Sequence, residues 1–235
     1  MQDAKRLLEQ FLGGGQASGG GGGGDFLRGA GGGALAGGLA AILLGSKTGR
    51  RLGGDVLKLG GMAAVGALAY KAWRDWQAGK APAQTAEPAR ASTPLLPAPP
   101  GTPFNPVNEM GQQRLARHLL RAMIAAAKSD GHVDAQEQAR IFGEMDKLSL
   151  SSEDKAFVMD ELRAKLDIDA VADAASSPEE AAEIYAASLL AIDIDNAAER
   201  GYLAMLAARL KLDDALVDHL QQTVTTASAS APAPV

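Results

Sequence analysis

The chain contains no cysteine, and its 235 residues include only five phenylalanines, three tyrosines and two tryptophans. Without cysteine there is no disulfide framework, no thiol nucleophile and no thiolate zinc site. Histidine is scarce too: the three histidines form neither HExxH nor any paired spacing that would hold zinc. No stretch alternates apolar and polar residues with period two, so strands are not expected and the fold class reads as all-α. The glycines at 13–24 lack both a preceding strand and a closing GK[ST], which excludes a phosphate-cradling loop. A cleaved signal peptide is not the expectation, because the first apolar run starts late and is followed by SKTGRR rather than a small-residue cleavage site.

What is present is divided unevenly. Residues 1–79 hold 23 of the 28 glycines. Residues 1–107 carry 11 Lys+Arg against 6 Asp+Glu, and residues 108–235 carry 12 against 22, so the halves are +5 and −10. The basic half suits anionic lipid headgroups, whereas the acidic half repels phosphate and argues against a nucleic-acid partner.

Residues 29–45 (GAGGGALAGGLAAILLG) carry no charge. As a helix they would extend roughly 26 Å, a little less than a hydrocarbon core of about 30 Å. Gly29, Gly33, Gly37, Ala41 and Gly45 recur every four residues. They would give one helix a groove of small side chains where a second copy can approach closely in lipid, which predicts a homo-oligomer. After the basic Lys47, Arg50 and Arg51, a second apolar stretch repeats the small-residue spacing at Gly60/Ala64 and Ala63/Ala67. It ends in Tyr70, Trp73 and Trp76 interleaved with Lys71 and Arg74. Rings with polar edges beside cations are what a membrane–water interface selects. Residues 29–77 are therefore expected to form one glycine-rich membrane helix with an interfacial helix, or a helical hairpin. Ahead of them, residues 1–28 read as a short amphipathic helix with a glycine-rich tether.

Residues 78–107 contain eight of the eleven prolines and read as a semi-extended linker. From 108 to 225 the helical period takes over. Leu115, Leu119, Met123 and Ala126 mark a first helix, which ends near Asp130-Gly131. Ile141, Met145 and Leu148 mark a second, begun by Asp134 with Glu137 as capping-box partner. Ser151 and Asp154 begin a third, carrying Val158 and Leu162. Ser177-Pro178-Glu179-Glu180 is a helix start with a serine cap, proline at the first position and carboxylates at the positive dipole end. Ile184, Tyr185, Ser188, Leu189 and Ile192 follow it, and Ser188 reads as a packed small residue. Two further helices run to about Val224, and residues 226–235 read as a disordered tail. An internal repeat sets KLSLS at 147–151 against RLKLD at 209–213, with Glu137 falling on Glu199 and Ile141 on Leu203.

Two acidic loops carry whatever chemistry the domain has. SDGHVDAQE offers Asp130, Asp134 and Glu137; AIDIDNAAE offers Asp193, Asp195 and Glu199. Carboxylates suit hard divalent cations, yet neither loop has an EF-hand pattern. Helix capping, worth about 0.5–2 kcal/mol per cap, accounts for the same residues. His132, beside the first loop, adds little to a metal set. No activated base or nucleophile accompanies the carboxylates, so no enzyme activity is expected.

DAKRLLEQFL, the glycine run, GGGALAGGLAAILLGSKTGRRLGG and GALAYKAW resemble the YebE-type inner-membrane proteins of Gram-negative bacteria. SDGHVDAQE and DIDNAAERGYL are similar to the TerB-like domain named from tellurite-resistance operons. The resemblance implies a TerB-like bundle of about six or seven helices that binds metal through its acidic loops. It also implies residence in the bacterial inner membrane, a cytoplasmic C-terminal domain and a link to envelope or chemical stress. By position, the metal-binding residues would be Asp130, Asp134, Glu137, Asp193, Asp195 and Glu199, although Ile194 stands where the first loop has Gly131. The competing expectation is a structural adaptor whose acidic domain docks a basic protein without metal. Replacing Gly33 and Gly37 together by Leu is expected to weaken crosslinked dimers of the full chain in membranes. Crosslinking that persists would place the contact elsewhere.

Overall fold

The computed structural model describes residues 61–80, 96–129, 131, 152–192 and 197–229. Among these residues there are seven helices and no strand: α1 (Gly61–Gln77), α2 (Glu109–Ala127), α3 (Ser152–Arg163), α4 (Ile168–Ala172), α5 (Pro178–Ala191), α6 (Ala197–Arg209) and α7 (Asp214–Ala229). The all-α expectation holds for this part of the chain.

Local chemistry sets several helix starts. Asn108 accepts from the Gly111 amide at 2.6 Å, Asp167 from Ala170 at 2.9 Å and Ser177 from Glu180 at 3.2 Å. Each cap satisfies an amide that the helix itself leaves without a partner. α6 ends in a Schellman turn: the Leu212 amide donates to the Ala207 carbonyl at 3.1 Å and the Lys211 amide to Ala208 at 3.2 Å. Lys211 adopts φ 54°, the left-handed conformation usually given to glycine.

α5 is the centre of the fold. Every residue from Glu180 to Ala191 is buried, as expected of a helix that is apolar on all sides. It packs against α2, α1, α7, α6 and α4. The apolar positions expected for α2 are buried, with Leu119 and Met123 at 0% exposure. α3 is pinned to α2 by Arg117–Glu153 and Arg121–Glu161 pairs, both at 2.6 Å, with both guanidinium groups over the Phe157 ring.

The structure revises the expected boundaries. α1 falls within the stretch expected at the membrane or its interface, but it lies against α5 and α7. Ala64, Val65, Ala67, Leu68, Ala69 and Ala72 are all buried. The aromatic end turns inward as well: Tyr70 and Trp73 lie 5.6 and 6.1 Å from the Phe104 ring, and Trp76 donates to Asp213 at 3.2 Å. Small-residue spacing lets helix backbones approach closely in lipid or in a protein core, and here the described part of it serves a core. Each buried alanine methyl adds only about 0.8 kcal/mol, so Val65, Leu68 and the three aromatic residues supply most of the apolar burial that holds α1.

The second half of the proline-rich stretch is part of the same body. Ala98 and Phe104 are buried, and the Asn105 side chain donates to the Ala98 carbonyl at 2.8 Å. At the other end α7 continues through Ala229, beyond the expected end at 225, with Ala227 packed on the core. The short α4, capped by Asp167, was not foreseen. No described helix is long and apolar enough to cross a membrane. Residues 29–60, which contain the expected glycine-rich membrane helix, lie outside the described residues, as does the second predicted helix of the C-terminal domain.

α1 and the 96–107 segment meet at Gly66. A Cβ there would lie 2.4 Å from the Phe104 carbonyl oxygen and 3.2 Å from Glu183 Oε1. Helix propensity alone would make Gly66→Ala stabilising by about 1 kcal/mol. The backbone clash reverses the sign: the substitution is expected to destabilise by about 1–3 kcal/mol, read as a lower melting temperature of the full chain.

Candidate functional site

Of the six carboxylates expected to bind metal, only Glu199 falls within the described residues, half-buried in the first turn of α6. Asp130, Asp134, Glu137, Asp193 and Asp195 lie outside them. Among the described residues no group of three or more His, Asp or Glu side chains could hold a metal ion. The structure does fix where the two loops begin. His118 on α2 meets Glu180 on α5 at 2.7 Å, and one turn further along α2 and two along α5, Ser188 Oγ lies 3.4 Å from the Ala122 carbonyl. These contacts follow the same chain direction in both helices, so α2 and α5 run toward the same end of the body. Residue 128 follows α2 and residue 192 follows α5, so the two acidic segments are joined to neighbouring helix C-termini. The carbonyl ends of helices favour cations.

The other notable cluster is inside. Glu180 is 5% exposed and Glu183 is 0% exposed. They stand three residues apart on α5 and so share a face. Glu180 is well served: His118 Nδ1 lies 2.7 Å from its Oε1, while the Ser176 amide at 3.0 Å and the Ser176 hydroxyl both donate to its Oε2. Burial alone would push the Glu180 carboxyl up, but the His118 and Ser176 hydrogen bonds outweigh it and hold it down at about 2. As an acceptor, the ionised group fixes Nδ1 as the protonated nitrogen of His118.

Glu183 has the opposite environment. Among the described residues neither of its oxygens has a hydrogen-bond partner. Burial, reinforced by the charge of Glu180, pushes it well above the usual carboxylate range. Two adjacent carboxyls driven apart in this way leave one as an acceptor and the other as a neutral acid. The chemistry they can perform is the holding and release of a proton.

The expectation of a carboxylate at the positive dipole end captures the helix-start position of Glu180 but not its partners, His118 and Ser176. Glu183 was not foreseen at all. The signal for it was a carboxylate set among AAEIYAASLLA, a run otherwise without charge. Ser188 is the packed small residue expected, donating to the Ile184 carbonyl at 3.0 Å.

A cleft of about 710 Å³ opens elsewhere, lined by Arg121, Lys128, Glu161, Lys165, Asp169 and Arg209 among others. Most of its charge is already satisfied: Arg121 pairs with Glu161, Arg209 with Asp169, and Lys128 donates to the Glu161 and Ala164 carbonyls.

Comparison with known proteins returns a family described as "Protein of unknown function (DUF533)", matched over residues 29–224. A protein of Yersinia enterocolitica described as "Uncharacterized protein in ampR 5'region" is 34% identical over 112 residues, covering 48% of this chain and 80% of that one. No solved structure matches.

The Glu180 network sets an acid limit on stability. Because its pKa falls on folding, from 4.5 to about 2, its contribution is complete above pH 4.5 and is lost as pH falls toward 2. Glu180→Gln is expected to cost about 1.5–3 kcal/mol at neutral pH and to flatten this acid limb, measured by urea denaturation across pH.

Proposed function

The chain belongs to the DUF533 family, which is TerB-like, and from that premise we propose that it is a membrane-anchored, non-enzymatic module that takes a divalent cation at its two acidic loops. The supporting observation is the parallel α2–α5 contact, from whose neighbouring ends both loops depart. Asp130, Asp134 and Glu137 on one side and Asp193, Asp195 and Glu199 on the other would supply the oxygen ligands such an ion requires.

The glycine-rich run at 29–45 is the proposed anchor, and its Gly29, Gly33, Gly37, Ala41 and Gly45 face the proposed self-association surface. This finer likeness to YebE-type inner-membrane proteins carries the rest of the proposal: residence in the bacterial inner membrane, the helical body in the cytoplasm and a role in envelope or chemical stress. The fold adds one feature to the picture. Since α1 is part of the body, only residues 46–60 separate the run from the folded domain. The −10 charge of residues 108–235 favours a second reading, an adaptor that docks a basic protein without metal.

Calorimetric titration of the detergent-solubilised full chain with Mn²⁺ and Ca²⁺ distinguishes the two. Saturable binding that disappears when Asp130→Asn and Asp193→Asn are combined is the expected result. Thermograms unaffected by the double substitution would remove the cation and leave the adaptor.

A further inference from the structure

We propose that Glu183 is a proton-operated latch: its carboxyl, buried against Gly66 with no hydrogen-bond partner among the described residues, allows α1 to stay docked on the helical body only while it carries a proton, and its ionisation releases α1. The inference is independent of the cation reading above.

Gly66 lies over the acid from α1, and the Phe104 carbonyl and the Glu183 carboxyl both border the space that a side chain at Gly66 would fill. Among the described residues, the charged groups on the packed elements are engaged or distant. Glu180, on the same helix, is committed to His118 of α2 and to Ser176. On α1, Asp75 pairs with Lys71 and Lys80, and Arg74 lies 3.5 Å from Asp75, more than two turns along from Gly66. On α7, His219 donates to the Lys80 carbonyl at 3.0 Å and Asp218 is exposed. Asp169 and Asp173 of the α4 segment are exposed, the former paired with Arg209 of α6. Tyr202 of α6 is buried, and Glu199 and Arg200 stand in the first turn of that helix.

None of these supplies a cation for a Glu183 carboxylate, and the negative Glu180 repels it. A neutral acid is tolerated at such a place, whereas an unpaired charge there must regain water. Water is most easily admitted by lifting α1, because its Gly66 is what lies against the carboxyl and presents no side chain there.

Linkage gives the sign. Glu183 has its pKa raised on folding, so the docked state is fully favoured below the ordinary value of 4.5 and loses favour as pH rises above it. Release of α1 would lengthen the arm between the glycine-rich segment and the remaining helices.

The two tryptophans of the chain, Trp73 and Trp76, are both on α1, so their emission reports its docking selectively. In the full chain, raising pH from the carboxylate range is expected to move tryptophan emission to the red and increase acrylamide quenching, while far-UV circular dichroism changes little. In Glu183→Gln the emission should stay blue throughout. Should that variant lose helicity, Glu183→Leu, which needs no hydrogen-bond partner, carries the same comparison. Identical pH profiles for wild type and variant would overturn the latch. So would a red shift accompanied by global loss of helicity.

Discussion

A helix with no side left for water imposes a strict condition on every polar atom it carries. α5 is such a helix, and the organisation of the fold follows from it. Its hydroxyls and carboxyls must find partners within the protein, since solvent cannot supply them. Ser188 turns back to the Ile184 carbonyl, the Tyr185 hydroxyl accepts from Gln221 at 3.0 Å, and Glu180 gathers His118 and Ser176. Each solution ties α5 to itself or to a neighbour. Glu183 is the position whose carboxyl finds no partner among the described residues, and burial there disfavours its charged form.

The same burial explains why α1 is so rich in alanine and glycine. To cover a helix that is already surrounded by α2 and α7, the last element must come close, and Gly66 permits the 96–107 segment to close over both. Packing of this kind is specific in geometry but modest in energy, because methyl groups remove little apolar surface from water. The fold therefore combines a fully enclosed centre with a close-fitting cover, and that cover is the element through which the chain leads back to its glycine-rich N-terminal third.

How much of this could be read in the residues depended on whether one physical cause produced each pattern. The stripe Leu115, Leu119, Met123 and Ala126 has one explanation, burial on a helix face, and all four are buried. Ser177-Pro178 likewise has one, and the cap is present. Small-residue spacing in 61–77 has two explanations, because lipid and a crowded protein interior both reward close helix approach. The aromatic cluster was ambiguous for the same reason, since an indole with an apolar body and a polar edge suits an interface or a helix junction closed by Asp213. Proline at 97, 99, 100, 103 and 106 suggested a solvated spacer, yet Phe104 and Ala98 fasten that segment to the core. The polar cluster was least visible: periodicity places Glu180 and Glu183 on one face but says nothing of His118, which lies 62 residues before Glu180. The acidic loops, the clearest chemical feature of the sequence, contribute only Glu199 to the described structure.

The inclusion of α1 also changes where this protein can be divided. A shortened chain beginning after the proline-rich stretch would retain every acidic residue of interest, yet it would leave bare the sides of α5 and α7 that α1 covers. A strip of exposed alanine, leucine and tyrosine along the central helix is the kind of surface through which copies stick to one another. Aggregation of such a fragment would then reflect a missing lid rather than any property of the native molecule, and the natural cut lies ahead of residue 61.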